Sequence, residues 1–163
     1  MHTVECDLGV AAIVRRSRSI LLVQEAHGRY KNCWGLPKGY VNKSELPSHA
    51  VLRELSEECE VDGRVVGVQS VRERLLEGVP AIFIAYLVEL KENENPTPGE
   101  EVVETRFVNA DEFDSLNWIS DAMHSMALSA VNSNQALRTI DYENTRGHPY
   151  MLHTLPKTWG GEA

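Results

Sequence analysis

Residues 34–61 of this chain read WGLPKGYVNKSELPSHAVLRELSEECEV, and they contain its clearest helix. Pro47 suits the first turn of a helix, because its φ is already helical and its missing N–H would have no intrahelical partner there. Leu52, Leu55 and Cys59 follow at helical spacing and would give the helix one apolar face. We therefore predict a helix that begins at Pro47 and ends at Cys59.

Apolar runs rich in β-forming residues lie on both sides of this helix. The predicted strands are 8–14, 19–24, 64–74, 81–90 and 104–108, and the further predicted helices are 111–113 and 119–131. This mixture of strands and helices predicts an α/β (α+β) fold, in which helices and sheet form layers around one core.

The length and composition suit a single compact domain. The chain has 163 residues, of which 42% are hydrophobic, and this is enough apolar side chain for a real core. We predict one domain over residues 1–135. Gly147, Pro149 and Pro156 interrupt the remainder, so residues 136–163 are predicted to be an irregular C-terminal extension packed on the same domain.

The charge of the chain limits its partners. The formal net charge is −8. Proteins that coat duplex nucleic acid gain affinity from Lys and Arg on phosphates, so we expect no duplex nucleic acid partner. A small phosphorylated ligand remains compatible with this charge, because a bound cation can invert the local potential.

Cysteine usage and hydropathy indicate the compartment. Cys6, Cys33 and Cys59 are odd in number and lack metal-ligand spacing, so we expect free thiols in a reducing environment. Residues 1–7 are acidic and lack the apolar run of a signal peptide. The longest apolar stretch, 80–90, is far too short to span a bilayer. These features predict a cytoplasmic protein with no membrane partner.

Three glutamates of the predicted helix share one face. Glu54, Glu57 and Glu58 are three and four positions apart, and carboxylates at these offsets repel one another by a few tenths of a kcal/mol per pair. A divalent cation would remove this repulsion, and oxygen ligands suit Mg²⁺ or Mn²⁺. The other interpretation is a solvated acidic face, which is the more common meaning of a charge run.

The residues that flank the helix favour the metal site. Gly39 ends a turn before the helix, where glycine permits backbone conformations that a side chain would block and lets the chain approach a ligand closely. An Arg–carboxylate pair is directional, so Arg53 on the helix is placed to lock the loop that carries Glu45. Together these residues would present carbonyls and carboxylates as one preorganised site.

With these flanks, residues 39–61 resemble the Nudix box of the MutT-like Nudix hydrolase family. The residues at the family's spacings are Gly39, Glu45, Arg53, Glu54, Leu55, Glu57, Glu58 and Val61. Glu60 departs from the pattern, because the family has its last glycine there. A left-handed backbone is common just after a helix. We therefore expect Glu60 to cost about 1 kcal/mol or to reshape the helix end.

The resemblance implies a fold, an activity and a metal. The fold would be the family's α/β/α sandwich with a mixed central sheet. The activity would be Mg²⁺-dependent hydrolysis of the diphosphate linkage in a nucleoside diphosphate derivative, by attack of water at phosphorus. The implied ligands of Mg²⁺, or of Mn²⁺, are Glu54, Glu57, Glu58 and the backbone carbonyl of Lys38.

The resemblance also implies roles for individual residues. Glu54, Glu57 and Arg53 are the candidate catalytic residues, with Glu54 a candidate base for the attacking water. The implied structural supports are Gly39, Glu45 and Arg53, and the candidate substrate-binding residues are Lys38 and Gly39.

The sequence leaves the rest of the site open. A further carboxylate often comes from a later loop, and the candidates are Glu100, Glu101 and Glu104, each of which also reads as part of a solvated acidic loop. Arg72 and Arg74 alternate along a predicted strand and either line the pocket or face solvent.

The sequence does not identify the substrate within the family. The proline that marks many ADP-ribose pyrophosphatases is not at its usual distance, since Pro80 lies too far along the chain. The tyrosine of some dinucleoside polyphosphate hydrolases and the NADH and coenzyme A signatures are also absent.

Two alternative functions remain open. An isopentenyl diphosphate isomerase-type enzyme on the same fold would need a catalytic cysteine, for which Cys33 is the candidate, although a buried structural thiol is its commoner role. A non-catalytic nucleotide-sensing domain usually has eroded carboxylates, whereas all three are intact here.

Family members often form homodimers, for which residues 119–131 are a candidate interface, with internal packing the stronger interpretation.

Overall fold

The structure is a computed structural model, and it describes residues 2–133 and 135–155. The strands in chain order are β1 (Asp7–Ile13), β2 (Arg15–Arg16), β3 (Ser19–Glu25), β4 (Trp34–Gly35), β5 (Lys38–Tyr40), β6 (Gly63–Leu76), β7 (Val79–Leu90), β8 (Val102–Asn109), β9 (Leu137–Asp141) and β10 (Met151–Thr154). The α-helices are α1 (Pro47–Cys59), α2 (Asp121–Asn132) and α3 (Glu143–Arg146), and a 3₁₀ helix covers Ala110–Ser115.

Helix α1 has the bounds that the sequence predicts. Pro47 occupies its first turn, and the helix ends at Cys59. Glu60 then adopts a left-handed conformation with φ 52° and ψ 36°, and its N–H donates to the carbonyl of Ser56. The carboxylate of Glu60 accepts a hydrogen bond from the Thr97 hydroxyl. The helix end therefore keeps the left-handed conformation without a glycine.

The strands form two sheets. One has six strands in the order β10-β9-β6-β7-β1-β5, and the other joins β2, β3 and β4 with β8 paired to β3. The six-stranded sheet is mixed, because β1 runs parallel to β7 and antiparallel to β5. The mixed sheet predicted from the sequence is confirmed.

The core forms two layers, one on each side of β1 and β3. Successive side chains of a strand point to opposite faces, so Val10 and Ala12 enter one layer while Ala11 and Ile13 enter the other. The helix residues of the first layer are Ala50, Val51, Leu55 and Cys59, and those of the second are Met123, Met126, Ala127, Ala130 and Val131. Burying each large apolar side chain contributes about 1.5–3 kcal/mol. Helices α1 and α2 thus cover opposite faces, which confirms the α/β class.

Helix α2 begins two residues later than predicted. The Ser120 hydroxyl accepts a hydrogen bond from the N–H of Met123 at 3.2 Å, so Ser120 caps the helix and Ile119 precedes it. Its apolar face lies in the core, as the internal-packing interpretation expected. No helix in residues 2–133 or 135–155 is long and apolar enough to cross a membrane.

The prediction of an irregular C-terminal extension was wrong for residues 137–154. Strands β9 and β10 pair with each other, and β9 pairs with β6 through Gly67↔Arg138 and Val68↔Leu137. A Cβ on Gly67 would overlap the backbone carbonyl of Leu137, so this glycine permits the close pairing. Strand β9 joins the six-stranded sheet through β6, whereas residues 156–163 lie outside the described residues.

Candidate active site

Gly39 and Glu54 are in direct contact. Gly39 lies in β5, opposite Val10 of β1, and the Glu54 carboxylate on α1 rests against it so closely that a Cβ at position 39 would overlap the carboxylate. Gly39 has no left-handed φ. The expectation that glycine is needed here for its backbone conformation was therefore wrong, and the close approach alone requires it.

Arg53 connects the loop before α1 to the carboxylates on it. Its guanidinium binds Glu45 through two hydrogen bonds of 2.9 and 3.0 Å. It also donates to Glu54 at 2.6 Å, to Glu57 at 3.2 Å and to the carbonyl of Tyr40 at 2.9 Å. The hydrogen bond from Arg53 lowers the pKa of Glu45. The predicted Arg53–Glu45 pair is present, and it orders the loop and two of the three carboxylates together.

Glu58 is a buried carboxyl group. Its residue is only 5% exposed, and its carboxylate accepts the backbone N–H of Lys38 at 2.9 Å. Burial raises the pKa of Glu58 to about 8, and the Lys38 ammonium opposes this shift without cancelling it. A further positive partner would stabilise a carboxylate in this position, because its charge is poorly solvated.

Glu25 joins the site although its sequence position did not suggest it. It ends β3, and its carboxylate forms an ion pair with the Lys38 ammonium. Its charge also contributes to the raised pKa of Glu58. The only signal in the sequence is a charged residue that closes an apolar strand, SILLVQE, before a loop.

The loop before β8 packs on the end of α1. The N–H of Gly99 donates to the carbonyl of Glu58 at 3.0 Å, and a Cβ on Gly99 would overlap the carbonyl of Glu57. The N–H of Thr97 donates to the carbonyl of Cys59 at 2.9 Å. These bonds fix the start of β8 beside the helix that carries the glutamates.

Of the three candidates for a later carboxylate, Glu101 is coupled electrostatically to Glu54. The Glu101 carbonyl accepts the N–H of Ala26 at 3.2 Å. Burial raises the pKa of Glu54, and the charge of Glu101 adds to this shift. Glu104 instead forms an ion pair with Arg106 at 3.1 Å. Electrostatic coupling to Glu54 therefore favours Glu101 over Glu104.

The site has more acidic than basic groups. The carboxylates are Glu25, Glu54, Glu57, Glu58 and Glu101, and the basic groups are Lys38 and Arg53. Within residues 2–133 and 135–155, no three His, Cys, Asp or Glu side chains converge closely enough to hold a metal ion. The oxygen donors fit a hard divalent cation in their chemistry, but the side chains would have to turn from Arg53 towards it.

A cavity of about 350 Å³ opens beside this site. Its residues near the box are Lys38, Gly39 and Tyr40, and its farther residues include Tyr30, Arg72, Arg74, Phe83 and Met123. Arg72 and Arg74 thus line the pocket, the first of the two interpretations drawn from the sequence. Trp34 is not a lining residue, since it is buried in the core with only 7% of its surface exposed.

Cys33 lies outside this cavity. It is half-buried, and its thiol accepts a hydrogen bond from the Asn117 amide at 3.3 Å. Cys33 is not among the described residues that line the cavity. The geometry therefore gives no support to a cysteine-dependent isomerase.

Comparisons with known proteins agree with this fold. The NUDIX domain model matches residues 7–127. A curated relative, an ADP-ribose pyrophosphatase from Methanocaldococcus jannaschii, is 30% identical over 100 residues, which are 57% of this chain and 59% of that protein. The chain therefore spans less than two thirds of this relative's length.

Two solved structures have the same fold. A NUDIX hydrolase from Nitrosomonas europaea has a TM-score of 0.69 at 19% identity, with 91% of this chain and 77% of that chain covered. A MutT NUDIX hydrolase from Burkholderia pseudomallei has a TM-score of 0.65 at 24% identity, with 78% of this chain and 98% of that chain covered. These likenesses confirm the predicted Nudix-type fold.

Proposed function

Because this chain belongs to the NUDIX domain family, we propose that it is a pyrophosphohydrolase that acts on a small nucleotide-derived substrate. The reaction would cleave the diphosphate linkage of a nucleoside diphosphate derivative by attack of water at phosphorus. The observation that carries this proposal is the position of the Glu54 carboxylate of α1, which contacts Gly39, a residue that lines the 350 Å³ cavity.

The residues that would hold a divalent cation, Mg²⁺ or Mn²⁺, are Glu54, Glu57, Glu58 and the carbonyl of Lys38. When bound, such a cation neutralises diphosphate oxygens and lowers the pKa of a coordinated water. Glu58 supports this assignment, because a buried carboxyl with a raised pKa gains most from a cation that favours its charged form. Glu101 is the proposed carboxylate from the later loop.

Glu54 is the proposed general base. A carboxyl is a better base near neutral pH when its pKa is raised, and burial raises the pKa of Glu54. Arg53 and Glu45 are proposed as positioning residues, because the described contacts of the Arg53 side chain are to carboxylates and to the Tyr40 carbonyl rather than to the cavity. Arg53 would thus act through Glu54 and Glu57.

Lys38 and Gly39 are proposed to receive the phosphates. Both line the cavity, and the Lys38 ammonium is held by Glu25 until an anion competes for it. Gly39 has no side chain, so it would contribute only backbone groups to this contact. The curated relative is named an ADP-ribose pyrophosphatase, and ADP-ribose is therefore one compound to test for this chain.

The test is turnover of a panel in ¹⁸O-labelled water with Mg²⁺. The panel contains nucleoside triphosphates, ADP-ribose, nucleotide sugars and dinucleoside polyphosphates. We expect at least one compound to give two phosphorylated products, with a single ¹⁸O on one of them, since water is the nucleophile. Metal binding without turnover of any compound would contradict the proposal and favour the nucleotide-sensing alternative.

The remaining assignments stay predictions. A homodimer is expected from the family, but the apolar face of α2 is covered by the core and does not offer an interface. The cytoplasmic location rests on the sequence alone.

A further inference from the structure

One row of side chains crosses four strands of the six-stranded sheet. Its register is Arg72↔Phe83 between β6 and β7, Phe83↔Gly9 between β7 and β1, and Gly9↔Tyr40 between β1 and β5. All four residues line the cavity. The row therefore runs along one wall of the cavity, from the residue next to Gly39 to an arginine at the far side.

Phe83 forms the middle of this row. A Cβ on Gly9 would lie 2.7 Å from the Phe83 ring, so the glycine leaves room for the ring to lie across β1. The Arg72 guanidinium stands over the same ring, 5.3 Å from its centroid. The ring thus supports the arginine and holds it at the cavity wall.

Arg72 and Arg74 have no acidic partner in the part of the chain that the structure describes. They are two positions apart on β6 and so share a face of the sheet. Neither guanidinium forms an ion pair with a carboxylate in residues 2–133 or 135–155. Burial and the charge of Arg74 lower the pKa of Arg72. An anion between these side chains would relieve their repulsion.

The N-terminus of helix α2, whose first residue is Asp121, also borders the cavity. Ser120 and Ala122, at the N-terminus of the twelve-residue helix α2, line the same cavity. The N-terminal end of a helix favours anions through its free N–H groups and its dipole. Among residues 2–133 and 135–155, Asp7 is the one carboxylate that lines the cavity, and Ala81 lies between it and Arg74 in the sheet register.

We propose that Arg72 and Arg74 form an anion subsite that selects nucleotides with a further phosphate or carboxylate remote from the scissile diphosphate. This inference rests on the proposed function, because it concerns the same cavity. Three strand spacings separate β5 from β6, about 14 Å in total. A diphosphate bound at Gly39 would lie on the β5 side of the cavity, so we assign the anion at the subsite to another part of the substrate.

Matched nucleotide pairs test this subsite. ADP-ribose and ADP-ribose 2′-phosphate differ by one phosphate on the nucleoside half, and UDP-glucose and UDP-glucuronate differ by one carboxylate on the sugar half. Calorimetric titration in EDTA, where the proposed hydrolase does not turn over, gives affinities that do not depend on turnover. We expect about tenfold tighter binding of the charged member of at least one pair, equivalent to about 1.4 kcal/mol. Which pair responds identifies the half of the substrate that the cavity holds.

The variants connect this preference to the two arginines. The Arg72→Gln/Arg74→Gln double variant should remove the preference, and Arg72→Lys/Arg74→Lys should keep part of it. Arg138→Gln is the matched control, because Arg138 is exposed on β9 of the same sheet and does not line the cavity. Equal affinity within both pairs, no binding of any of the four compounds, or a preference that survives the double Gln variant would overturn the proposal. A preference without turnover of any compound would contradict the proposed hydrolase and leave the subsite standing.

Discussion

The carboxylate of Glu54 occupies the space that a side chain at residue 39 would need. Glycine is thus required in β5 by a carboxylate on α1, and the two residues fix the distance between strand and helix at the site. Because the constraint is steric, it belongs to the pair and not to either residue alone.

Gly39→Ala should therefore destabilise the protein in a way that depends on Glu54. Forcing a methyl group into occupied space typically costs about 1–3 kcal/mol. In a Glu54→Ala background the same substitution should cost less than about 0.5 kcal/mol, because the overlapping carboxylate is gone. Urea denaturation of the four proteins of this double-mutant cycle measures the coupling. Additive effects would show that Glu54 does not rest on Gly39.

Glu58 makes stability depend on pH in the metal-free protein. Its pKa is about 8 in the folded state against an ordinary value of 4.5, so the folded protein retains a proton that the unfolded chain releases. The free energy of unfolding should therefore fall as pH rises from about 4.5 to about 8. One pKa unit corresponds to about 1.4 kcal/mol, so the effect amounts to a few kcal/mol at most.

Glu58→Gln isolates this contribution. Glutamine keeps an oxygen for the Lys38 N–H but cannot ionise. Thermal or urea unfolding between pH 4.5 and 8 in EDTA should show a flatter profile for the variant than for the wild type. Other carboxyl groups titrate in both proteins, including Glu54, whose pKa is raised, and Glu45, whose pKa is lowered. Identical profiles for the two proteins would mean that Glu58 is charged throughout this range.

Glu60→Gly should stabilise the protein. Glu60 has φ 52°, a conformation that costs residues other than glycine about 1–2 kcal/mol. Since the exposed hydrogen bond from Thr97 is lost and glycine has more unfolded-state entropy, we expect a net gain of about 0.5–1 kcal/mol. Glu60→Ala, which loses the bond and keeps the strain, should give no gain in the same urea experiment. An equal gain from alanine would assign the effect to the lost charge.

Two glutamates near the start of β8 have different contacts. Glu101 acts on Glu54, whereas Glu104 pairs with Arg106. If Glu101 completes the site, Glu101→Gln should lower turnover by about tenfold or more. Glu104→Gln, the matched control in the same acidic segment, should stay within about twofold of the wild type. The reverse order in steady-state rates would move the assignment to Glu104.

The local features of the site could be predicted from the sequence, because they depend on spacing within one element. Pro47 and the apolar positions Leu55 and Cys59 define α1, and the i, i+3, i+4 spacing places three carboxylates on it. The Arg53–Glu45 pair could be predicted because a directional Arg–carboxylate contact joins the helix to the short loop before it. The alternation of Arg72 and Arg74 likewise predicts a shared face, although not which face meets a cavity.

The features that depend on pairing between distant segments could not be predicted. Glu25 reaches Lys38 because the end of β3 lies beside the start of β5 in space. The spacing of these two residues in the sequence does not predict this contact. Strands β9 and β10 were missed because Gly147 and Pro149 suggest irregular chain, while β9 forms against an edge of β6 that the sequence does not reveal. Gly39 was assigned a conformational role, since only the structure shows the carboxylate against it.

The measurement that tests the central claim most directly is Mg²⁺-dependent hydrolysis by the wild type and by Glu57→Gln. Glu92→Gln is the control, because Glu92 is an exposed glutamate in a loop between β7 and β8. On any substrate that the panel identifies, we predict that EDTA abolishes turnover, that Glu57→Gln lowers kcat by about 100-fold or more, and that Glu92→Gln leaves it unchanged. Turnover that persists in EDTA, or a Glu57→Gln rate equal to the wild-type rate, would contradict a metal-dependent hydrolase built on the α1 carboxylates.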